Sequence, residues 1–294
     1  MSKVKIFSIY YSKQNLFHGK AIKTDIIEPI QTGKAATGWD LGILSDDTGD
    51  NISSKNPYYG ELTCWYWVWK NWLPQHPECE YIGFTQYRRM LQLGADRKRS
   101  VAGGYLKSVY KHTFKKICNS YTEDKVLQLM YKYDCIIPYQ WHAFYASPYK
   151  RFSILENRTI YNVIRKILIR DATGEYGKNF DKCMKQNEGH YKPAFIMNIK
   201  VFNEFMEWVF NICSKITEEL MNMRIAMYPR IYAYCIEYFM NYWIYTKQYN
   251  SDVMIQKTFL YEARYYKKMF KDHINDKRKT KKIEKNLLKE LMDV

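Results

Sequence analysis

An α/β fold with a mainly parallel central sheet, flanked by helices, is what this sequence predicts, and three observations carry it. Short β-branched and aromatic runs recur at Val4–Tyr11, Ile26–Ile30, Tyr81–Thr85, Tyr133–Pro138 and Ala194–Met197. Segments of helical spacing stand between several of them, the alternation that builds parallel sheets. The hydrophobic fraction is 47% over 294 residues, enough for one large core, and roughly one or two domains is the expected count.

Val4–Tyr11 is the first strand and runs into the polar loop Ser12–Asn15. Ile26–Ile30 is the second, left through Gln31-Thr-Gly-Lys-Ala-Ala36. Gly38–Asn51 is turn-rich, with Asp46-Asp-Thr-Gly-Asp-Asn51 at its centre. Clustered carboxylates bind hard cations, but this run lacks the length and closing Glu of an EF-hand loop, so a capped polar turn is the better reading. Asn56-Pro57 starts a helix that Tyr59–Trp72 continues with aromatics on several faces, a buried helix that Pro74 and Pro77 end. After the strand Tyr81–Thr85, the basic and aromatic run Arg97–Ser120 shows no clear period and reads as a mobile, partly helical insertion. Thr122–Tyr131 is a short helix with Glu123 and Asp124 in its first turn. Ser153–Arg170, Val201–Met221 and Tyr232–Thr246 are helical, with the strand Ala194–Met197 ahead of the last two. From about Arg264 the chain is lysine-rich, with Ile283, Leu287, Leu288 and Leu291 at helical spacing. The expected organisation is one domain over residues 1–262 and a basic amphipathic tail over 263–294.

A net charge of +16 requires a partner that tolerates it: nucleic acid, an anionic membrane surface or a phosphorylated small molecule. The last thirty residues hold ten basic against five acidic side chains, +5 of this excess, a local concentration that disfavours nucleic acid, whose binders carry a basic stripe through the fold. The 28 tyrosines and 8 tryptophans suit partly wet grooves such as carbohydrate or base-stacking surfaces. Cys64, Cys79, Cys118, Cys135, Cys183, Cys213 and Cys235 are scattered singly and read as buried free thiols in a reducing compartment. No segment has the apolar length of a membrane span or a signal peptide, so a cytoplasmic location is expected.

Ligands of parallel sheets bind beyond the carboxyl ends of the strands. The turns after Tyr11, Ile30, Thr85 and Pro138 should therefore meet at one crevice. Tyr81-Ile-Gly-Phe-Thr-Gln-Tyr-Arg-Arg-Met90 presents Gln86, Tyr87, Arg88 and Arg89 there. Adjacent guanidinium groups grip phosphate oxygens through forked, charge-assisted hydrogen bonds without a metal; the alternative is two surface arginines past an edge strand. Glu61 opens the buried aromatic helix, where a carboxylate needs a partner such as Lys70, Arg88 or Arg89.

Asp46-Asp-Thr-Gly-Asp-Asn-Ile-Ser53, Lys55-Asn-Pro57, Glu61-Leu-Thr63, Trp67 with Trp69-Lys-Asn71, and Ile82-Gly83 with Tyr87-Arg-Arg89 follow one another in order. Together they resemble the signature of the capsular and exopolysaccharide biosynthesis glycosyltransferases, a family long labelled a domain of unknown function. Gln31, Gly33 and Ala35-Ala36 match its earlier block, and Phe195-Ile-Met197, Phe202, Trp208-Val-Phe210, Arg230 and Glu237 its later ones. The likeness covers roughly residues 4 to 245. It implies a GT-A-like fold that moves a hexose, galactofuranose ahead of a pyranose, from a UDP-sugar onto a capsular, exopolysaccharide or lipopolysaccharide glycan. Three positions depart from the family: Gln86 stands for the usual His, Lys192-Pro193-Ala194 for a Gly-Asn pair, and Glu237-Tyr238 for Glu-Arg.

The resemblance also implies roles. The nucleoside falls to the turns after the first two strands, hence to Tyr10, Tyr11, Gln31 and Gly33, with Gly33 permitting close backbone approach. Asp46, Asp47, Asn51, Asn56, Glu61, Gln86, Tyr87, Arg88 and Arg89 complete the expected donor site. Most GT-A enzymes carry a metal-binding Asp-x-Asp after the strand that here ends in Gln86-Tyr-Arg-Arg89, so no cofactor and no divalent metal is expected. Inverting transfer needs a base for the acceptor hydroxyl. Glu237, in a tyrosine-rich helix that raises its pKa, is the first candidate and His190 the second. The expected partners are the UDP-sugar, a glycan or lipid-linked glycan acceptor, and an anionic membrane surface reached by the tail on the inner face of the cell membrane. The competing classes are a base-stacking nucleic-acid-binding protein and a non-catalytic scaffold for polysaccharide assembly.

Overall fold

The computed structural model describes residues 2–93, 106–139, 141–142, 147–152, 158–171, 175–186, 188–189, 192–250 and 252–264. Its first half comprises β1 (Val4–Tyr10), β2 (Ile27–Gln31), α1 (Lys34–Thr37), β3 (Leu44–Ser45), α2 (Asn56–Tyr59), α3 (Leu62–Trp67), β4 (Tyr81–Gln86), β5 (Arg89–Leu91), β6 (Leu106–Tyr110), α4 (Lys111–Asn119) and α5 (Glu123–Met130). Then come β7 (Cys135–Pro138), β8 (Trp141–His142), α6 (Pro148–Phe152), α7 (Arg158–Asp171), α8 (Glu175–Lys185), β9 (Glu188–Gly189), β10 (Phe195–Asn198), α9 (Ile199–Asn222), α10 (Ile231–Tyr249), β11 (Ile255–Thr258) and β12 (Leu260–Arg264).

Seven strands form the central sheet in the order β11-β7-β10-β4-β1-β2-β3. β1 pairs in parallel with β2 and β4, β2 with β3, and β7 with β11, whereas β10 runs antiparallel to both its neighbours. The sheet is thus mainly parallel, as its βα alternation predicts, with one reversed strand in the middle. Strand alternation sorts the side chains onto two faces. Phe7, Ile9, Ile82, Phe84, Phe195 and Met197 face a core with α3 and α6 to α10, where Trp65 and Trp243 are fully buried. Val4, Ile6, Ile27, Ile136 and Ile196 face a second core completed by Phe114 and Cys118 of α4 and Val126 and Met130 of α5.

Three features differ from the sequence reading. The helix expected over Tyr59–Trp72 is broken: α2 stops at Gly60, α3 follows, and the chain widens into a π-helical turn over Val68–Trp72 before a 3-10 turn over Leu73–Gln75. Gly60 has φ of +57°, and a Cβ there would lie 2.7 Å from Ala233 Cβ of α10, so only glycine lets α10 sit this close. Second, the run taken as a partly helical insertion contains the strand β6, parallel to β12 in a separate three-stranded sheet ordered β5-β12-β6; residues 94–105 lie outside the described residues. Third, β12 runs through the expected domain boundary at 262 and buries Leu260 and Ala263 in the second core. The rest of the expected tail, 265–294, lies outside the described residues. Among the described residues no helix is long and apolar enough to cross a membrane.

Candidate functional site

Because β1, β2 and β4 are parallel neighbours, their carboxyl ends open on one edge, with Ile9 opposite Gln86 and Tyr10 opposite Gln31. The sequence predicts that much, but the side chains there divide into those that build the edge and those that face out from it. Tyr10 is fully buried, and its hydroxyl accepts from the Ile22 N–H at 3.0 Å. Tyr87 is buried too, its ring 5.9 Å from that of Tyr10 and 5.8 Å from that of Tyr11. Of the three, only Tyr11 is open, at 54% exposure. The Gln31 side chain is likewise withdrawn. Its amide donates to Trp39 O and accepts from the Leu41 N–H, both at 2.8 Å. This clamp fixes a loop on which Trp39 stands 50% exposed, an aromatic that sequence reasoning missed because nothing in its surroundings marks it.

The Asp46 block serves as scaffold. Asp46 is fully buried, and its carboxylate accepts from the N–H of Gly33 at 2.8 Å and of Lys34 at 3.2 Å, and from the hydroxyls of Ser53 at 2.6 Å and Thr63 at 2.5 Å. It therefore ties the turn after β2 to α3 with its oxygens engaged by the protein, as the Tyr10 hydroxyl and the Gln31 amide are. Gly33 has φ of +67°, and a Cβ there would lie 2.3 Å from Asn56 Cγ. The close approach it permits is thus to Asn56, whose side-chain amide donates to Gly60 O at 2.7 Å and Thr32 Oγ1 at 3.0 Å. Asp47 accepts from Ser45 at 2.6 Å and faces Lys34 at 3.8 Å, while Asn51 bonds within its own turn to Gly49 O and the Ser53 N–H.

The chemistry concentrates on Glu61, Gln86, Arg88 and Arg89. Gly60 turns the chain so that Glu61, at the start of α3, reaches the end of β4, and Gln86 Nε2 donates to Glu61 Oε2 at 3.1 Å. Gln86 Oε1 in turn accepts from Arg89 Nη1, and Arg89 Nε donates to Glu262 Oε1 of β12 at 3.0 Å. Arg89 is buried within this relay. Arg88 is more open, with 36% of its side chain exposed. It lies 3.6 Å from Glu262, too far for a hydrogen bond, and its Nε has no hydrogen-bond partner among the described residues. Although part of Glu61 meets solvent, its carboxyl is surrounded by protein, and burial raises its pKa above the usual carboxylate range. The Gln86 hydrogen bond and the charges of Arg89, Arg230 and Lys192 oppose that rise. Lys70, considered as a partner for Glu61, lies instead over the Trp69 ring at 3.5 Å. Glu262 was invisible to sequence reasoning, being 173 residues from Arg89.

Arg230 caps α10 with its N–H on Pro57 O at 2.7 Å. Ala233 meets Gly60, and Glu237, four residues on, shares that helix face one turn further along. The structure thus gathers Glu61, Gln86, Arg88, Arg89 and Arg230, with Glu237 on the same side of α10; His190 lies outside the described residues. Among the described residues no group of three or more His, Cys, Asp or Glu side chains is placed to hold a metal ion.

A family model described as a domain of unknown function (DUF4422) matches residues 9–248. Among solved structures, the apo structure of WbbM, a bifunctional glycosyltransferase, is similar with a TM-score of 0.75 and 26% sequence identity. The likeness covers 90% of this chain and 46% of that one, so this chain spans less than half the length of the matched structure. None of the curated proteins compared with the chain matches it.

Proposed function

We propose that this chain, which belongs to the family described as a domain of unknown function (DUF4422), is a glycosyltransferase that moves a sugar from a nucleotide-sugar donor to a glycan acceptor. The observation that carries the reading is the likeness of nine-tenths of the chain to a bifunctional glycosyltransferase. The donor is a UDP-hexose, galactofuranose ahead of a pyranose, and the acceptor a capsular, exopolysaccharide or lipopolysaccharide glycan, free or lipid-linked. This finer reading draws on the ordered motifs from Asp46 to Arg89.

Tyr11 and Trp39, the exposed aromatics beyond β1 and β2, offer flat apolar surfaces to the nucleoside. Arg88, Arg230 and Lys192 supply the positive charge that a departing diphosphate needs. Transfer is metal-independent in this reading, because Gln86, Tyr87, Arg88 and Arg89 follow β4 where a metal enzyme needs carboxylates. Glu61 and Glu237 are the candidate bases on this side of the fold. The protein works in the cytoplasm, and its basic C-terminal segment attaches it to the anionic inner face of the membrane.

The test is thermal denaturation with UDP, GDP, CMP and their sugars, followed by UDP-release assays with EDTA or manganese. At a hundred times its Kd a ligand adds about 2.7 kcal/mol, a rise of several degrees in Tm for a chain this size. UDP and a UDP-hexose should give that rise, and UDP release should survive EDTA. Indifference to every nucleotide, with tight DNA or RNA binding, would overturn the reading. Activity lost with EDTA and restored by manganese would overturn metal independence alone.

A further inference from the structure

We infer, resting on the transferase reading above, that Glu61 is the proton-accepting catalytic residue of the transfer and that Gln86 and Arg89 are its positioning residues, anchored by Glu262. The argument begins with the carboxylates near the edge. Asp46 is fully buried and accepts from four donors. Glu262 is shared by two arginines, Asp47 is bonded to Ser45 and faces Lys34, and Asp50 accepts from the Tyr66 hydroxyl. Glu61 alone among these combines a place at the carboxyl end of β4 with one unengaged oxygen: Oε2 accepts from Gln86, and Oε1 takes no hydrogen bond from a described residue.

The arrangement around it is directional. Arg89 Nη1 holds Gln86 Oε1, so the Gln86 amide can present only its NH2 to Glu61. Arg89 is in turn held by Glu262 and by Thr85, whose hydroxyl donates to Arg89 O at 2.5 Å. The relay fixes Oε2 and leaves Oε1 for the acceptor. The charged and titratable groups facing Glu61 are Arg89 of β5, Arg230 at the start of α10, Lys192 ahead of β10, and Cys64 of α3. Burial raises the Glu61 pKa and so makes it a stronger base, while the Gln86 hydrogen bond and the three cations oppose that rise.

The step balances as follows. The acceptor hydroxyl oxygen forms a bond to the anomeric carbon as its proton passes to Glu61 Oε1. The bond from that carbon to the diphosphate oxygen breaks, and its electron pair leaves on the nucleoside diphosphate beside the cations. Glu61 then returns the proton to solvent.

The experiment compares the wild-type full chain with Glu61→Gln, Glu61→Ala, Glu237→Gln and Gln86→Leu. It measures UDP release from UDP-galactose and UDP-galactofuranose with water as acceptor, and UDP binding by calorimetry. Glu61→Gln should lower kcat by about 100- to 10,000-fold, leave the Kd for UDP within about threefold, and abolish the rise of kcat/KM with pH. Formate should restore part of the activity of Glu61→Ala. Gln86→Leu removes a hydrogen bond that lowers the Glu61 pKa, so the rise in kcat/KM should persist but move to higher pH. Near-normal kcat and an unchanged pH profile in Glu61→Gln would overturn the inference while leaving the transferase reading standing; so would a loss confined to Glu237→Gln. A wild-type chain that neither binds UDP nor releases it from either donor would overturn both.

Discussion

Asp46 shows how much of a motif can be framework. Its carboxylate lies inside the fold, collecting donors from the turn after β2, from Ser53 and from α3. Removing it takes the side-chain acceptor from the Gly33 and Lys34 N–H groups and the Ser53 hydroxyl, and Asp46→Ala should lower unfolding stability by at least about 3 kcal/mol, measured as a fall in the urea midpoint at unchanged slope. A loss below about 1 kcal/mol would mean that water satisfies those donors as well as the carboxylate does. The family-like motif pointed to Asp46 as a donor-site residue and its run of carboxylates and turn formers to a capped turn, but burial does not appear in a motif. The same limit applies to Gln31 and Tyr10, whose polar atoms are turned to Trp39, Leu41 and Ile22. Arg88 and Glu61 were legible because charged residues at a strand end and a helix start must either find partners or meet solvent.

Among the elements, the strands were the most readable and the aromatic helix the least. β1, β2, β4, β7 and β10 each announce themselves by a short β-branched or aromatic run. Tyr59–Trp72 is apolar around several faces, so its period could not reveal that Gly60 divides it or that Val68–Trp72 opens into a π-helical turn. β11 and β12 carry Gln256, Lys257, Tyr261, Glu262 and Arg264, polar enough to hide a strand whose partners lie far away in sequence. Gly60 is where this level of structure is most exposed to change. In Gly60→Ala the new methyl carbon would stand 2.7 Å from Ala233 Cβ on a backbone with φ of +57°. The strain and clash should cost about 3 kcal/mol, seen as a lower Tm. They should also weaken UDP release out of proportion, since Glu61 is the next residue. Unchanged Tm and activity would show that α10 shifts without cost.

At the scale of the whole molecule the buried thiols were foreseen: all seven cysteines are free and buried. Burial pushes the thiol of Cys118 up to about 12 and that of Cys79 to about 11, so they serve packing and not chemistry. The charge balance of +16 was legible too, and +5 of it falls in residues 265–294. The basic segment from about Arg264 should bind vesicles rich in phosphatidylserine, with about 1 kcal/mol from each basic side chain at the surface. Sedimentation with such vesicles should fall steeply with salt and disappear in a chain truncated after Arg264. Equal binding by the truncated chain would place the contact elsewhere on the fold.

The ion pair between Arg89 and Glu262 also has a consequence in time. The two residues are 173 positions apart, and β12 lies between β5 and β6 as the strand that joins them. On the ribosome, Arg89 emerges long before its counter-charge, and the nascent chain holds this arginine without Glu262 until β12 is released. The pair can therefore close only after the 173 positions that separate its members have been made. A chain truncated before Leu260 would keep most of its central sheet and lose this ion pair.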